Sequence, residues 1–214
     1  MPVLAYILVA AAAYLLGSIP TGFLVARAKG IDIRTVGSGN IGATNTFRAA
    51  GTVAGIFVLL ADGFKGYAAC AWLTDFLARA FSVAPEKMEW LRIVAGVCAV
   101  LGHTFTCWLK FKGGKGVATG AGVFFALAPL SAGIALAVWI LMLALTRYAS
   151  VASIVAAIAL VVSVWLTQNS LPLRIFATAI GLFVIFKHRS NIRRLLDGTE
   201  SRLGKRTQPT EATK

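Results

Sequence analysis

Acidic side chains are scarce in this chain. Eight Asp and Glu stand against 21 Lys and Arg in 214 residues, a formal net charge of +13. Charged residues of either sign make up 14% of the sequence, where a soluble domain carries about 25%. That shortage excludes a disordered segment, a collagen-like fibre and an ordinary soluble enzyme. Strand-length segments of alternating apolar and polar residues are also missing, which excludes a membrane β-barrel. Cysteine is limited to Cys70, Cys98 and Cys107. An odd number, spaced for neither a metal site nor a disulfide framework, reads as small apolar packing residues.

What fills the chain instead is hydrophobic: 58% of residues are apolar and the mean hydropathy is +0.79. Long apolar runs at Pro2–Ala26, Thr52–Leu73, Leu91–Leu109, Val117–Leu145, Val151–Thr167 and Leu171–Phe186 predict an all-α integral membrane protein. The first run follows no Lys or Arg and is too long for a cleavable signal, so it reads as the first transmembrane helix. Pro129 divides the fourth run into two pieces, the first short for a crossing. Cations mark orientation. Sixteen Lys and Arg fall within Arg27–Arg48, within Lys110–Lys115, at Arg147 and from Lys187 onward, against four at Arg79, Lys87, Arg92 and Arg174. The positive-inside rule then places the N-terminus outside and the C-terminus in the cytoplasm. That requires an odd number of crossings. Seven transmembrane helices are expected, one or more of them short or interrupted. Residues 1–198 read as one polytopic domain and residues 199–214 as a polar, mobile cytoplasmic tail. Topology and lipid headgroups account for the cations, so no nucleic-acid partner is expected.

Three polar clusters fall on the predicted cytoplasmic face. The first, Gly37 to Asn45 followed by Arg48, contains a literal G-x-G-x-x-G with Asp62 twenty residues later. No strand precedes it, so a dinucleotide fold is rejected. What survives is an anion site: Gly39 and Gly42 let backbone N–H groups approach a ligand, Ser38, Asn40, Thr44 and Asn45 add donors, and a helix beginning near Ala43 aims its positive end inward. A tight interfacial turn is the plainer reading. The second cluster, Lys112-Gly113-Gly114-Lys115-Gly116, opens the run starting at Val117. It lacks the Ser/Thr of a magnesium-binding phosphate loop but offers amides and a point charge. An ordinary flexible loop is its plainer reading. In the third, His188 and Asn191 share a helix face, with Arg194 beside them. Asp62 and Lys65, at i,i+3 within an apolar run, are read as a structural ion pair bracing the site. Trp72, Trp90, Trp108 and Trp165 are interface anchors. Interrupted helices facing an anion also suit a transporter, and the basic tail alone would suit a lipid-binding protein.

At these clusters the chain resembles the bacterial acyl-phosphate:glycerol-3-phosphate acyltransferases. The resemblance rests on GSGNIGATN (Gly37–Asn45), GHTFTCWLKFKGGKGVAT (Gly102–Thr119) and HRSNIRRLLDGTE (His188–Glu200), with DGFKG at Asp62–Gly66 and GSIPTG at Gly17–Gly22. Thr106 stands where that family usually has proline. The resemblance implies seven membrane helices and transfer of an acyl group from acyl phosphate to the 1-hydroxyl of glycerol 3-phosphate. It places catalysis at the cytoplasmic side of the bacterial inner membrane. It implies no metal, no other cofactor and no thioester donor. Ser38, Arg48, Lys115, His188 and Asn191 would be the catalytic residues, with Ser153 a further contact. Membrane lipid and other phospholipid-synthesis enzymes are the partners such a reaction implies. An acyl phosphate is already activated, so orientation and electrostatics suffice. Direct attack without an acyl-enzyme is expected, the proton passing to a substrate phosphate oxygen or to His188.

Overall fold

A backbone in hydrocarbon has no water to bond, so a long apolar run closes its hydrogen bonds within itself as a helix. In the computed structural model, which describes residues 2–204, every regular element is helical. The first run is broken at Ile19-Pro20 into α1 (Pro2–Ser18) and α2 (Thr21–Ala28). Proline lacks the N–H that would continue the ladder. After α3 (Ala43–Ala50) comes α4 (Thr52–Ala68), which runs through a π turn at Ala69–Leu73 into α5 (Thr74–Ala80). The Thr74 hydroxyl donates to the Ala69 carbonyl across that turn, 2.8 Å away. Then follow α6 (Met88–Thr104), α7 (Val117–Leu127), α8 (Pro129–Thr146), α9 (Ala149–Thr167), α10 (Leu171–Lys187) and α11 (Arg189–Leu196).

Among the described residues, five helical stretches are long and apolar enough to cross a membrane: Val3–Ala28, Thr52–Ala80, Pro85–Leu109, Pro129–Thr146 and Ala149–Thr167. A sixth counts if α10 and α11, bent by 51°, are taken together. Helix α7 has 11 residues and falls short on length alone.

Small residues bring the central helices together, as expected where lipid is as apolar as the protein. Helix α7 is seated on α4: a Cβ on Gly122 would stand 1.8 Å from the Gly63 carbonyl oxygen, and one on Gly66 2.1 Å from that of Thr119. Below this contact Phe124 of α7 stacks on Phe176 of α10, their rings 5.3 Å apart, in a core with Val100 and Val123. Ser131, Ser163 and Thr167 join α8 to α9 through hydroxyl hydrogen bonds of 2.9 and 3.1 Å. At the opposite end of that helix pair the loops of the three polar clusters gather.

Candidate active site

The first cluster builds a loop around Asn45. Gly37 and Gly39 take positive φ of 59° and 66°, turning the chain back on itself. Asn45, 2% exposed, then holds the loop from inside: Nδ2 donates to the Ile33 and Val36 carbonyls at 3.2 and 3.0 Å, and Oδ1 accepts from the Ser38 N–H at 3.1 Å. Asn40 Oδ1 accepts from the Gly42 N–H at 2.9 Å. Both asparagines border the cavity; the Asn45 amide is spent inside the loop, whereas Asn40 leaves Nδ2 without a partner among the described residues. Ser38 and Thr44 keep their hydroxyls for the cavity, and Gly42 lines it where α3 begins. Gly39 does not line it; an Arg34 carbonyl oxygen lies 3.0 Å from where its Cβ would be. Arg48 reaches in from α3, donating from Nη2 to the Ser201 carbonyl at 2.7 Å. Its buried Nε has no partner among the described residues.

The second cluster differs from the sequence reading. Gly113 and Gly114 do not offer free amides: their N–H groups donate to the Thr104 and His103 carbonyls, both at 3.0 Å. These bonds satisfy orphan carbonyls at the end of α6. Neither glycine lines the cavity, and exposed Lys112 does not either. Lys115, Gly116 and the first-turn residues Val117 and Ala118 do. Lys115 Nζ donates to Asn191 Oδ1. Thr106, with φ −62°, keeps a backbone shape that proline would also adopt. Its buried hydroxyl adds a bond that proline lacks, donating to the Ser18 carbonyl at 2.5 Å.

His188 and Asn191, 3% and 6% exposed, enter from the bend between α10 and α11. His188 Nδ1 donates to the Val184 carbonyl at 2.8 Å, so Nε2 is the nitrogen left for a ligand. The unexpected member is Glu200. Its side chain, 5% exposed, accepts from Ser150 Oγ at 2.7 Å, Asn191 Nδ2 at 2.6 Å and Arg194 Nε at 2.7 Å. The start of the polar tail therefore folds back as a keystone, while residues 205–214 lie outside the described residues. Glu200 closes the HRSNIRRLLDGTE motif, which was the available signal; nothing in the sequence marked Ser150.

Electrostatics follow from this packing. Burial pushes the Lys115 ammonium down to about 8, Glu200 pulling it back and Arg194, Arg48 and Lys187 pushing it further down. Burial alone would raise the Glu200 carboxyl, but hydrogen bonds from Asn191, Ser150 and Arg194 outweigh it and hold it below its ordinary value.

Behind the polar chamber lies an apolar groove of about 680 Å3 walled by α4, α7, α8, α9 and α10. Leu59, Val117, Ala118, Trp139 and Ser153 line both spaces. Ser153 Oγ donates to the Ala149 carbonyl at 2.8 Å and accepts from Trp139 Nε1 at 3.2 Å, at the neck between them. Leu60, Phe64 and Leu136 on the groove's rim are exposed, so it opens through the side of the bundle. The arrangement suits an amphiphile with an anionic head among cations and a hydrocarbon tail between helices. Asp62 and His103 also line the chamber, and Asp62 Oδ1 lies 2.8 Å from Lys65 Nζ behind it.

Comparison with known proteins gives a consistent result. A family model described as glycerol-3-phosphate acyltransferase matches residues 7–198. The chain is 49% identical over 189 residues to the glycerol-3-phosphate acyltransferase of Geotalea daltonii, covering 88% of this chain and 93% of that one. It is 48% identical over 197 residues to that of Geobacter sulfurreducens, covering 92% and 96%. Crystal structures of an integral membrane glycerol 3-phosphate acyltransferase match in its glycerol 3-phosphate form (TM-score 0.83, 39% identity, 93% of this chain and 96% of that chain). Its lysophosphatidic acid form matches with TM-score 0.81 and 38% identity, over 93% and 95% of the two chains.

Proposed function

The chain belongs to the glycerol-3-phosphate acyltransferase family, and from that membership we propose that it transfers an acyl group from acyl phosphate to the 1-hydroxyl of glycerol 3-phosphate. The products are 1-acylglycerol 3-phosphate and phosphate, the first step of phospholipid synthesis. The observation that carries the reading is the neck. A cationic chamber holding Arg48 and Lys115 shares five wall residues with a hydrocarbon-sized groove, so the bond between an anionic head and its acyl chain would lie at Trp139 and Ser153. A donor that was a free anion would leave the groove without a purpose.

In the proposed mechanism Ser38 with the neighbouring amides, and Gly116 with the first turn of α7, hold the phosphate of acyl phosphate. Lys115 neutralises charge as it builds on the leaving group. Arg48, His188 and Asn191 hold glycerol 3-phosphate. Its hydroxyl oxygen attacks the acyl carbonyl carbon, the carbon–oxygen bond to phosphate breaks, and phosphate departs with the electron pair. The hydroxyl proton goes to a substrate phosphate oxygen, His188 Nε2 being the second choice. Ser38 has no histidine bonded to its hydroxyl, and Cys70, Cys98 and Cys107 lie outside the chamber, which supports direct attack over an acyl-enzyme.

Parity supports seven crossings. Lys115 and Ser150 border one chamber, and only α7 and α8 separate them. Helix α8 is long enough to cross, so α7 must carry the chain back despite its 11 residues. With the cation asymmetry, this supports an N-terminus outside and a chamber on the cytoplasmic side of a bacterial inner membrane. Residues 1–198 then form one domain, with the tail supplying Glu200. Purified protein in lipid vesicles, given palmitoyl phosphate with and without glycerol 3-phosphate, tests the reaction. Phosphate release that needs both, with equimolar lysophosphatidic acid, is expected. Uptake of glycerol 3-phosphate into sealed vesicles without product would replace it with transport.

A further inference from the structure

Three buried groups take no part in the mechanism above. Asp62, Lys65 and His103 are 2%, 4% and 5% exposed; Asp62 and His103 form part of the wall of the polar chamber and Lys65 lies behind them. Asp62 Oδ1 lies 2.8 Å from Lys65 Nζ and 3.7 Å from His103 Nδ1, so one carboxylate oxygen faces both the ammonium and the imidazole. Lys65 Nζ also donates to the Ile19 carbonyl at 3.0 Å, within the break between α1 and α2. The DGFKG and GSIPTG motifs thus meet at one ion pair.

The other side of His103 is the bed of the loop carrying Lys115. The Gly114 N–H donates to the His103 carbonyl, and the Gly113 N–H to that of Thr104, both at 3.0 Å. A Cβ on Gly114 would lie 2.1 Å from His103 Nε2, and one on Gly113 2.1 Å from the His103 carbonyl oxygen. Gly114 therefore lies flat on the imidazole and Gly113 on the backbone at the end of α6, and the next residue is Lys115. A buried charged group is costly unless paired, so the Asp62–Lys65 pair has few alternative arrangements. Its carboxylate bounds the imidazole on one side, and the ring together with the His103 and Thr104 carbonyls beds the loop on the other.

We infer that Asp62, Lys65 and His103 form a positioning unit that sets the Gly113–Lys115 loop, and with it the Lys115 ammonium, against the polar chamber. The inference deepens the proposed function and rests on it for the role of Lys115. A brace between α4 and the α1–α2 break would account for the Lys65–Ile19 bond alone. It would not account for a histidine ring packed against Gly114, with Gly113 on the backbone of the same helix end.

The test uses the full chain in lipid vesicles and two readouts. The first is the pH dependence of Lys115 acetylation by an amine-directed reagent, followed by mass spectrometry. Glu200, Arg194, Arg48 and Lys187, the charges that act on Lys115, stay unchanged in every variant. The wild-type midpoint is expected near 8. His103→Ala and Asp62→Asn should free the loop to water and move it up by about one unit or more. The second readout is turnover. Both variants should lose about 10- to 100-fold in kcat/KM for palmitoyl phosphate, while KM for glycerol 3-phosphate stays within about twofold. Gly114→Ala, which collides with the ring, should regain about tenfold or more when combined with His103→Ala. It also perturbs the loop with α6 intact, should His103→Ala fail to fold. An unmoved Lys115 midpoint in folded His103→Ala protein, or losses that multiply in the double variant, would overturn the inference. If wild-type protein releases no phosphate, the substrate assignment fails, while the acetylation midpoints still report on the loop.

Discussion

Lys115 gives the sharpest test of the electrostatic account. Its ammonium is held near 8 by burial among Arg194, Arg48 and Lys187, with Glu200 opposing. A group with that pKa is about 90% charged at pH 7 and about 10% charged at pH 9. If only the ammonium stabilises the departing phosphate, kcat/KM falls about tenfold between those values and about tenfold per unit beyond. The sign is fixed: the folded value lies below the ordinary lysine value, so activity is full on the acid side of 8 and lost as pH rises. A donor aimed at developing charge is worth about 10²- to 10³-fold. Lys115→Ala should therefore drop turnover by about that much, and the wild-type limb should level off where it meets the alanine variant, about two to three units above 8. Lys115→Arg keeps its charge throughout and should lose the limb, at a reduced plateau because a planar fork fits Asn191 poorly. The limb in kcat should sit higher than that in kcat/KM, since bound phosphate favours the charged form. Initial rates of phosphate release from pH 6.5 to 10, corrected for spontaneous hydrolysis of acyl phosphate, measure all of this. A flat wild-type profile from about pH 7 to 9.5, or an unchanged limb in Lys115→Arg, would refute the assignment.

Three further outcomes follow from the same geometry. Glu200→Gln removes the charge that three donors share and should cost about 2–4 kcal/mol, seen as a lower melting temperature and reduced turnover in the same preparation. Lengthening the acyl chain should raise kcat/KM about fourfold per methylene, from about 0.8 kcal/mol each, until the groove is full; no dependence between eight and twelve carbons would deny the groove its role. Gly122→Ala places a Cβ 1.8 Å from the Gly63 carbonyl oxygen and should part α4 from α7, with loss of folded protein in detergent rather than a selective change in KM.

The apolar runs were legible because a helix in lipid answers to length and hydropathy, and Pro129 marks the boundary between α7 and α8 as the sequence suggested. The clusters at Ser38, Arg48, Lys115, His188 and Asn191 could be picked out because charged and amide side chains are rare in such runs. Which amides stay free could not. A glycine pair reads equally as a ligand cradle or as a surface for close approach, and only the position of His103 decides that Gly113 and Gly114 do the second. Glu200 was hidden for another reason. Its three partners come from α9 and α11, and one of them, Ser150, lies 50 residues away, so its burial is a product of tertiary packing rather than local pattern. Asn45 was read from the sequence as a donor to an anion, but its hydrogen bonds turn inward because of how the loop closes.

The late position of Glu200 has a consequence for biogenesis. Chains are made and inserted from the N-terminal end, and this carboxylate emerges after the last long apolar helix. Until then Ser150, Asn191 and Arg194 lack the acceptor that gathers them, and Lys115 and Arg48 face one another without a counter-charge. A nascent bundle with its helices already in the bilayer thus lacks the carboxylate that offsets these cations, and the hydrogen bonds that gather the pocket wait for residue 200 to emerge.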